Sequence, residues 1–359
     1  MKAYLFEKDK AARLQSVPMP IAGQNEALIK INRAGICNTD IEILKGYMGF
    51  HGVIGHEFVG TVVSVTSEDA ADQTWVNQRV TGDINCACME VSACSVCAQT
   101  GTAMARNHCP SRSVLGILGK DGTYAEYITL PIRNLHAVPD GVLDEEAVFV
   151  EPLAAACRII EQKVIDASMD RVAVIGDGKL GLLIMEVLCR SGLARPPSII
   201  GRHPEKMELL VRDGGSANVN MIILKDGATD LSPAPRLVQV IPREDLQNMF
   251  DVVIDATGSP AGLELSGFIT RPLGTLVLKS TCAAGTQFNT APYVIDELKI
   301  IGSRCGPFES AIELLASSTP KLNLKKYIHG VFPLEDVDKA IERAKEKGAL
   351  KVQIVCSSP

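Results

Sequence analysis

No stretch of this chain reaches the ~18 uninterrupted apolar residues of a bilayer-spanning helix, which argues against a protein built to cross a membrane by helices. The opening segment MKAYLFEKDKAARLQ carries Glu7, Lys8, Asp9 and Lys10 and so lacks the apolar centre of a secretory signal. The expected location is a reducing cytoplasm. A long Lys/Arg run is missing too. The net charge is −6, and the two most basic stretches, KLNLKKYIHG and KAIERAKEKG, are respectively short and sign-alternating, as in solvated faces. Neither nucleic acid nor a membrane is then the expected partner. No internal repeat or low-complexity tract is present.

What is present is the balance of a folded protein, 46% hydrophobic and 22% charged residues. A length of 359 residues exceeds one ordinary core, so two domains are expected. There are also eleven cysteines, five of them between Cys86 and Cys109. In a reducing compartment they are expected to be free, metal-bound or catalytic rather than paired as disulfides.

The first third reads as β-rich. EALIKINRAG sets Ala27, Ile29 and Ile31 against Lys30 and Asn32 with period two and ends at a turn glycine. EFVGTVVSVT and GTYAEYITLP are further strands, with glycine and proline punctuating them as in a small irregular barrel. After Glu151 the pattern changes. RVAVIGDGKLGLLIMEVLCRSG runs strand, glycine turn, helix, and PPSIIGRH, FDVVIDATGS and GTLVLKS are further short apolar strands. Strands alternating with helices predict an α/β domain on a doubly wound parallel sheet. The stretch from about 219 to 247 shows no clear elements. Beyond about 290 come helices and a closing strand.

Gly176, Gly178 and Gly181 form G-x-G-x-x-G directly between a strand and a helix. Glycines there allow a tight turn, approach of a pyrophosphate and close helix–strand packing, and the helix start offers free N–H groups to phosphate. Lys179 and Leu180 complete the turn, and Thr257 follows the strand FDVVID; all belong to the candidate nucleotide site with the glycines. At the end of the next strand an NAD site usually places an acid that holds the ribose hydroxyls. This chain has Gly201 there, followed by Arg202 and His203. A glycine would leave room for a 2′-phosphate and an arginine could pair with it, chemistry that favours NADP over NAD.

AGICNTDIEILKG and GVIGHEFVG place Cys37, Thr39, Asp40, His56 and Glu57 in turns between strands. A thiolate, an imidazole and a carboxylate suit a catalytic zinc with one open position. Spacing alone does not join them, and a buried cysteine beside a hydrogen-bonded histidine is the simpler reading of those two residues.

The combination GHEFVG, AGICNTD, EPLAAA, FDVVIDATGS and LKIIGSRCG, together with the glycine turn, resembles the zinc-dependent medium-chain dehydrogenase/reductase superfamily over nearly the whole chain. The resemblance implies a GroES-like catalytic domain from 1 to 151 and 290 to 359, a Rossmann domain from 152 to 289 between them, and substrate in the cleft. It implies Cys37 and His56 as ligands of a catalytic zinc, Glu57 as a direct or alternating ligand, Glu151 at the metal directly or through water, and Thr39 as the relay of the alcohol proton. Where many relatives carry a histidine for onward proton transfer, this chain has Glu42. TDIEI is nearest to glucose-dehydrogenase-like relatives, a hint of a hydroxylated substrate. Tyr47, Met48, Phe50 and His51 are placed to line its pocket or to pack a surface.

The family also carries a structural zinc on four cysteines. Here Cys94 and Cys97 keep a two-residue gap, Cys88 precedes them by five residues and Cys109 follows after eleven, both longer than usual in the family. Cys86 is the alternative to Cys88 in this lobe of about 84–112, and a metal-free, thiol-bearing lobe is the rival state. Relatives are homodimers or homotetramers. The reading reached is an oxidoreductase using zinc and NADP(H) or NAD(H) on a secondary alcohol, polyol or sugar-like substrate or its carbonyl. A zinc-free reductase of activated double bonds and a non-enzymatic nucleotide-binding thiol sensor are the alternatives. Cys157, Cys189, Cys282, Cys305 and Cys356 are expected in apolar surroundings with no function attached.

Overall fold

A computed structural model describes residues 1–7, 11–88, 90–99, 102–212, 218–224, 237–280 and 289–357; Cys282 lies outside them. The chain forms two compact units. One holds Met1–Glu151, Phe308–Ser317 and Leu324–Pro359, the other Pro152–Pro307 and Ser318–Asn323.

The first unit is built on the strand Glu26–Gly35, which pairs antiparallel with Glu57–Thr66, Tyr127–Pro131 and Lys351–Val355. Its inward residues Ala27, Ile29 and Ile31 are fully buried, the outcome that period-two patterning demands of a strand with one face on the core. The sheet runs, by strand, Leu135–Ala137, Arg79–Gly82, Glu57–Thr66, Glu26–Gly35, Lys351–Val355, Ile328–Pro333. The last strand of the chain is therefore central to the first domain. It sets Gln353 opposite Gly35, which on its other side faces Glu57.

The second unit carries seven parallel strands in the order Val238–Ile241, Asn220–Leu224, Ser198–Gly201, Val172–Ile175, Phe250–Asp255, Thr270–Leu278, Lys299–Gly302. Val172–Ile175 is buried throughout, as a strand covered on both faces must be. It is also where strand order reverses: its neighbours are the next strand in the chain on one side and the fourth next on the other. Ligands of such sheets bind beyond the strand ends at that reversal. The segment around 219–247, unreadable by pattern, supplies two short strands of this sheet. One boundary needs correction. Residues 290–307 belong to the nucleotide unit, because Lys299–Gly302 pairs in register with Thr275–Leu278, so the return to the first unit comes at Phe308 rather than 290.

Candidate metal and dinucleotide sites

The structure brings Cys37, His56 and Glu57 together: one ligand atom from each lies within 4.8 Å of the others. They come from two places that only the sheet unites. Cys37 precedes the helix Asn38–Leu44, and His56 and Glu57 start the strand Glu57–Thr66. Cys37 and His56 lie in the irregular links between elements, as the sequence suggested, each directly before a regular element, while Glu57 is already the first strand residue.

Asp40 organises the group, a role the sequence reading did not assign. It is fully buried. Its Oδ2 accepts from Cys37 N at 2.8 Å and from the Tyr124 hydroxyl at 2.7 Å, and its Oδ1 lies 3.0 Å from His56 Nδ1. Burial by itself would push the Asp40 carboxyl up; His56, Tyr124 and the Cys37 N–H outweigh it and hold it below the usual range. Burial pulls the His56 ring down, but Asp40 and then Cys37 hold it well above its ordinary value. With Nδ1 turned to Asp40, the ring's Nε2 is left for the thiol side, the arrangement in which a carboxylate fixes the tautomer of a metal-ligating histidine. A thiolate, an imidazole and a carboxylate within one ion's reach fit zinc. Thr39 Oγ1 stands 3.7 Å from Cys37 Sγ.

Glu57 has a second partner. Both Glu57 and Lys351 are wholly buried, and Lys351 Nζ donates to Glu57 Oε2 across 294 positions of sequence, with the Phe149 ring 5.2 Å from the ammonium. Gly35 is required by this crossing. A Cβ there would strike the Glu57 carboxylate and come within 2.7 Å of Val148 and 3.2 Å of Lys351 Nζ. The glycine that read as a turn is thus a strand position kept bare for an ion pair. Replacing Lys351 with methionine strands a buried carboxylate, and the expected cost is about 3–5 kcal/mol, read as a lowered urea midpoint with unchanged slope.

Glu151 opens the first turn of the helix Val150–Glu161 and lies outside the three-residue cluster. Burial lifts its carboxyl to about 7, with His56 and Lys351 drawing it down and Glu57 pushing it up, so it stands within electrostatic reach of the cluster. Glu42 is tied to Lys45 Nζ at 2.9 Å. Tyr47 and Met48 are exposed, His51 lies on Phe6 with ring centroids 5.3 Å apart, and Phe50 is buried.

The cysteine lobe bears on the choice left open in the sequence. Cys88, Cys94, Cys97 and Cys109 converge, whereas Cys86 does not. Cys88 Sγ lies 3.6 Å from Cys97 Sγ and 3.5 Å from Cys109 Sγ. Those gaps are far too long for disulfides, and they approach the ~3.8 Å edge of a sulfur tetrahedron built on metal–sulfur bonds of about 2.3 Å. Backbone N–H groups of Cys97 and Cys88 point at Cys94 and Cys109 sulfurs at 3.5 and 3.4 Å. Burial raises the Cys109 thiol, yet the Cys88 N–H and the neighbouring thiols bring it down to about 7. Cys86 Sγ lies 4.0 Å from the Ile84 carbonyl, and burial pushes its thiol up to about 11. The donor set fits a second zinc. Of the remaining cysteines, Cys157 and Cys356 are buried, but Cys189 and Cys305 are half-exposed rather than core residues.

In the second unit Gly176 has φ +111° and Gly178 precedes the helix Lys179–Leu188. A Cβ on Gly181 would collide with the Gly176 carbonyl, whereas nothing lies within 4 Å of the Cβ direction of Gly178. The third glycine is thus for packing and the second leaves the open approach that a pyrophosphate needs, so the turn fits a dinucleotide. Lys179 and Leu180, both half-buried, form the first turn of that helix. Thr257 lies 3.4 Å from the Cβ direction of Gly176, and its hydroxyl is engaged with Asp255 at 2.7 Å.

At Gly201 the expected room for a phosphate is filled. A Cβ there would lie 2.6 Å from Asp177 Oδ2. The glycine is demanded by the Asp177 side chain, which reaches across from the glycine-rich turn. Arg202 is exposed.

Residues 23–140 match the family model of the alcohol dehydrogenase GroES-like domain. An L-threonine 3-dehydrogenase of Chelativorans sp. (strain BNC1) is 31% identical over 267 residues, 72% of this chain and 70% of its own. D-arabinitol dehydrogenase 1 of Uromyces fabae is 26% identical over 366 residues, covering 99% of this chain and 97% of its own. Among solved structures, a short chain alcohol dehydrogenase (rspB) from Escherichia coli CFT073, complexed with the cofactor NADH, matches with a TM-score of 0.82 at 25% identity over 99% of both chains.

Proposed function

Since the chain belongs to the medium-chain dehydrogenase/reductase superfamily, we propose that it is a zinc-dependent dehydrogenase that moves a hydride between NAD(P)(H) and a secondary alcohol, polyol or sugar-like substrate or its carbonyl. The observation that carries this reading is the convergence of Cys37, His56 and Glu57 around the buried Asp40. Threonine and polyol dehydrogenases among the relatives support the CH–OH donor.

Zinc would be held by Cys37, His56 and Glu57, with the Glu151 carboxylate within electrostatic reach, and would supply a Lewis acid that acidifies a hydroxyl or polarises a carbonyl. The chain's own residues do the rest. The Asp40 carboxylate, 3.0 Å from His56 Nδ1, favours the proton on that nitrogen and so leaves Nε2 a donor of electrons. Tyr124 and the Cys37 N–H hold the Asp40 carboxylate charged, which keeps that orientation fixed. Thr39 Oγ1 accepts the substrate's hydroxyl proton and passes it outward. Lys351 donates to Glu57 Oε2, so that carboxylate would be shared between the ammonium and a zinc that Cys37 and His56 would also hold.

The glycine turn binds the dinucleotide through Gly176–Gly181. Arg202 and His203 would attract a 2′-phosphate, the feature of the sequence that favours NADP(H), and the Asp177 carboxylate opposes it. Cys88, Cys94, Cys97 and Cys109 hold a structural zinc. A homodimer or homotetramer is supported by the second unit's edge: the terminal strand Lys299–Gly302 leaves Ile300 exposed, Val294 and Ile295 just before it are exposed, and so is Leu273, whose N–H donates to the Asp296 carbonyl at 2.8 Å.

The test combines metal analysis with turnover. Purified protein should contain about two zinc ions per chain, one for each of the donor sets fitted above. Alcohols, polyols and aldehydes are screened with both nicotinamide coenzymes before and after chelation. Turnover that chelation removes and zinc restores is the expected result. Zinc-independent reduction of activated double bonds would replace this reading with the other one.

A further inference from the structure

Asp177 is the middle residue of the Gly176–Gly178 turn, yet its carboxylate serves the neighbouring strand. Oδ2 accepts the backbone N–H of Arg202 and of His203, both at 2.6 Å. His203 Nδ1 stands 3.1 Å from Oδ2 and 3.2 Å from Oδ1, so the ring donates to the same carboxylate as an Nδ1–H. The side chain is nearly buried, and the turn is held against that strand by Gly176 N donating to the Ile200 carbonyl at 2.9 Å.

Two backbone N–H groups and an imidazole converging at a strand end make an anion cradle. Here an anion is built in. Its position is informative as well: Oδ2 lies 2.6 Å from where a Cβ of residue 201 would sit, about as far as a carboxylate on that residue would hold its own oxygens. The acid that a dinucleotide site carries at the end of its second strand is thus supplied from the glycine-rich turn, with Gly201 bare to admit it.

We infer that Asp177 is the coenzyme-specificity determinant of this protein, a carboxylate that fills the 2′-phosphate cradle formed by Arg202 N, His203 N and the His203 ring and so selects NAD(H) over NADP(H). The inference rests on the proposed dinucleotide site. It runs against the preference that Gly201 and Arg202 suggest in the sequence, because the Arg202 side chain stays out in solvent while the carboxylate holds the N–H groups a phosphate would need. A phosphate dianion entering there meets a negative charge already hydrogen-bonded in its place.

The full-length wild type and Asp177→Asn are titrated with NADH and NADPH by nicotinamide fluorescence. Asparagine keeps the shape, and its Oδ1 still accepts both N–H groups, so only the charge is lost. The wild type is expected to bind NADH more tightly, and D177N to lower the NADPH-to-NADH ratio of Kd values about tenfold. Equal or tighter binding of NADPH by the wild type, or an unchanged ratio in D177N, overturns the inference and leaves the dinucleotide site standing. Failure of the wild type to bind either coenzyme overturns both. The wild type also carries a test of its own, independent of how the variant folds. 5′-AMP should displace NADH at lower concentration than adenosine 2′,5′-bisphosphate, and the opposite order sinks the assignment.

Discussion

Cys37→Ser is expected to lower kcat/KM by about 10³ or more while leaving the Kd for the nicotinamide coenzyme within about twofold. A ligand that helps an ion stabilise transition-state charge is worth several kcal/mol, and each 1.36 kcal/mol is tenfold in rate. Serine is nearly isosteric, and the Cys37 backbone N–H that bonds Asp40 at 2.8 Å is untouched by the change. The loss therefore comes from the donor atom and not from the turn. Steady-state kinetics with coenzyme titration and zinc content separate the two effects: bound zinc should fall by about one per chain. Turnover within about tenfold of wild type would remove Cys37 from the ligand set.

Cys97→Ser acts on the other cluster. Cys97 is wholly buried, and among the described residues its hydrophobic cluster is a small one of Ala87, Cys97 and Cys109, with Cys88, Cys94 and Val96 packed against it. So little core cannot order the lobe unaided, and a metal clamp supplies the missing free energy. The expected result is loss of about one zinc per chain and a melting midpoint lower by about 10 °C, from about 3 kcal/mol in a unit of this size. Residual activity at low temperature should persist, since Cys37, His56 and Glu57 belong to a separate cluster. Cys86→Ser is the control, because its sulfur is not in the four-cysteine group, and it should leave zinc content and midpoint nearly unchanged. Equal effects of the two substitutions would refute the assignment of Cys88 over Cys86.

The division between what pattern reveals and what folding reveals follows the range of each interaction. Alternation at Ala27, Ile29 and Ile31 and the strand–glycine–helix run at 172–188 are local signals, and the corresponding elements form where the periodicity places them. Strand pairing is not local. Lys299–Gly302 is a short apolar run whose membership of the nucleotide sheet depends on a register with Thr270–Leu278, and the domain boundary misread at 290 followed from that. Cys189 and Cys305 misled in the same way, because an apolar stretch of sequence does not guarantee a buried position.

At the candidate sites, the chemistry-bearing residues stand out by type: cysteines in excess, a GHE histidine, a G-x-G-x-x-G turn. Their partners do not. Asp40 lay in plain view three residues after Cys37, and that spacing, the span of a helix cap, was the available signal for its bond to the Cys37 N–H. Tyr124 and Lys351 gave none, being separated by 84 and 294 positions from the carboxylates they serve.

The amino-acid sequence by itself determined the two-domain α/β architecture, the glycine turn and which residue types stand ready to hold a metal, because those are properties of short windows of chain. Only the tertiary structure decided which cysteine of Cys86 and Cys88 joins the lobe, that Gly35 is bare for the Glu57–Lys351 pair, and that Asp177 occupies the space Gly201 had seemed to leave open. In each case the deciding contact joins segments that meet only after the sheets have formed, and direction and distance in space are not written in residue identity.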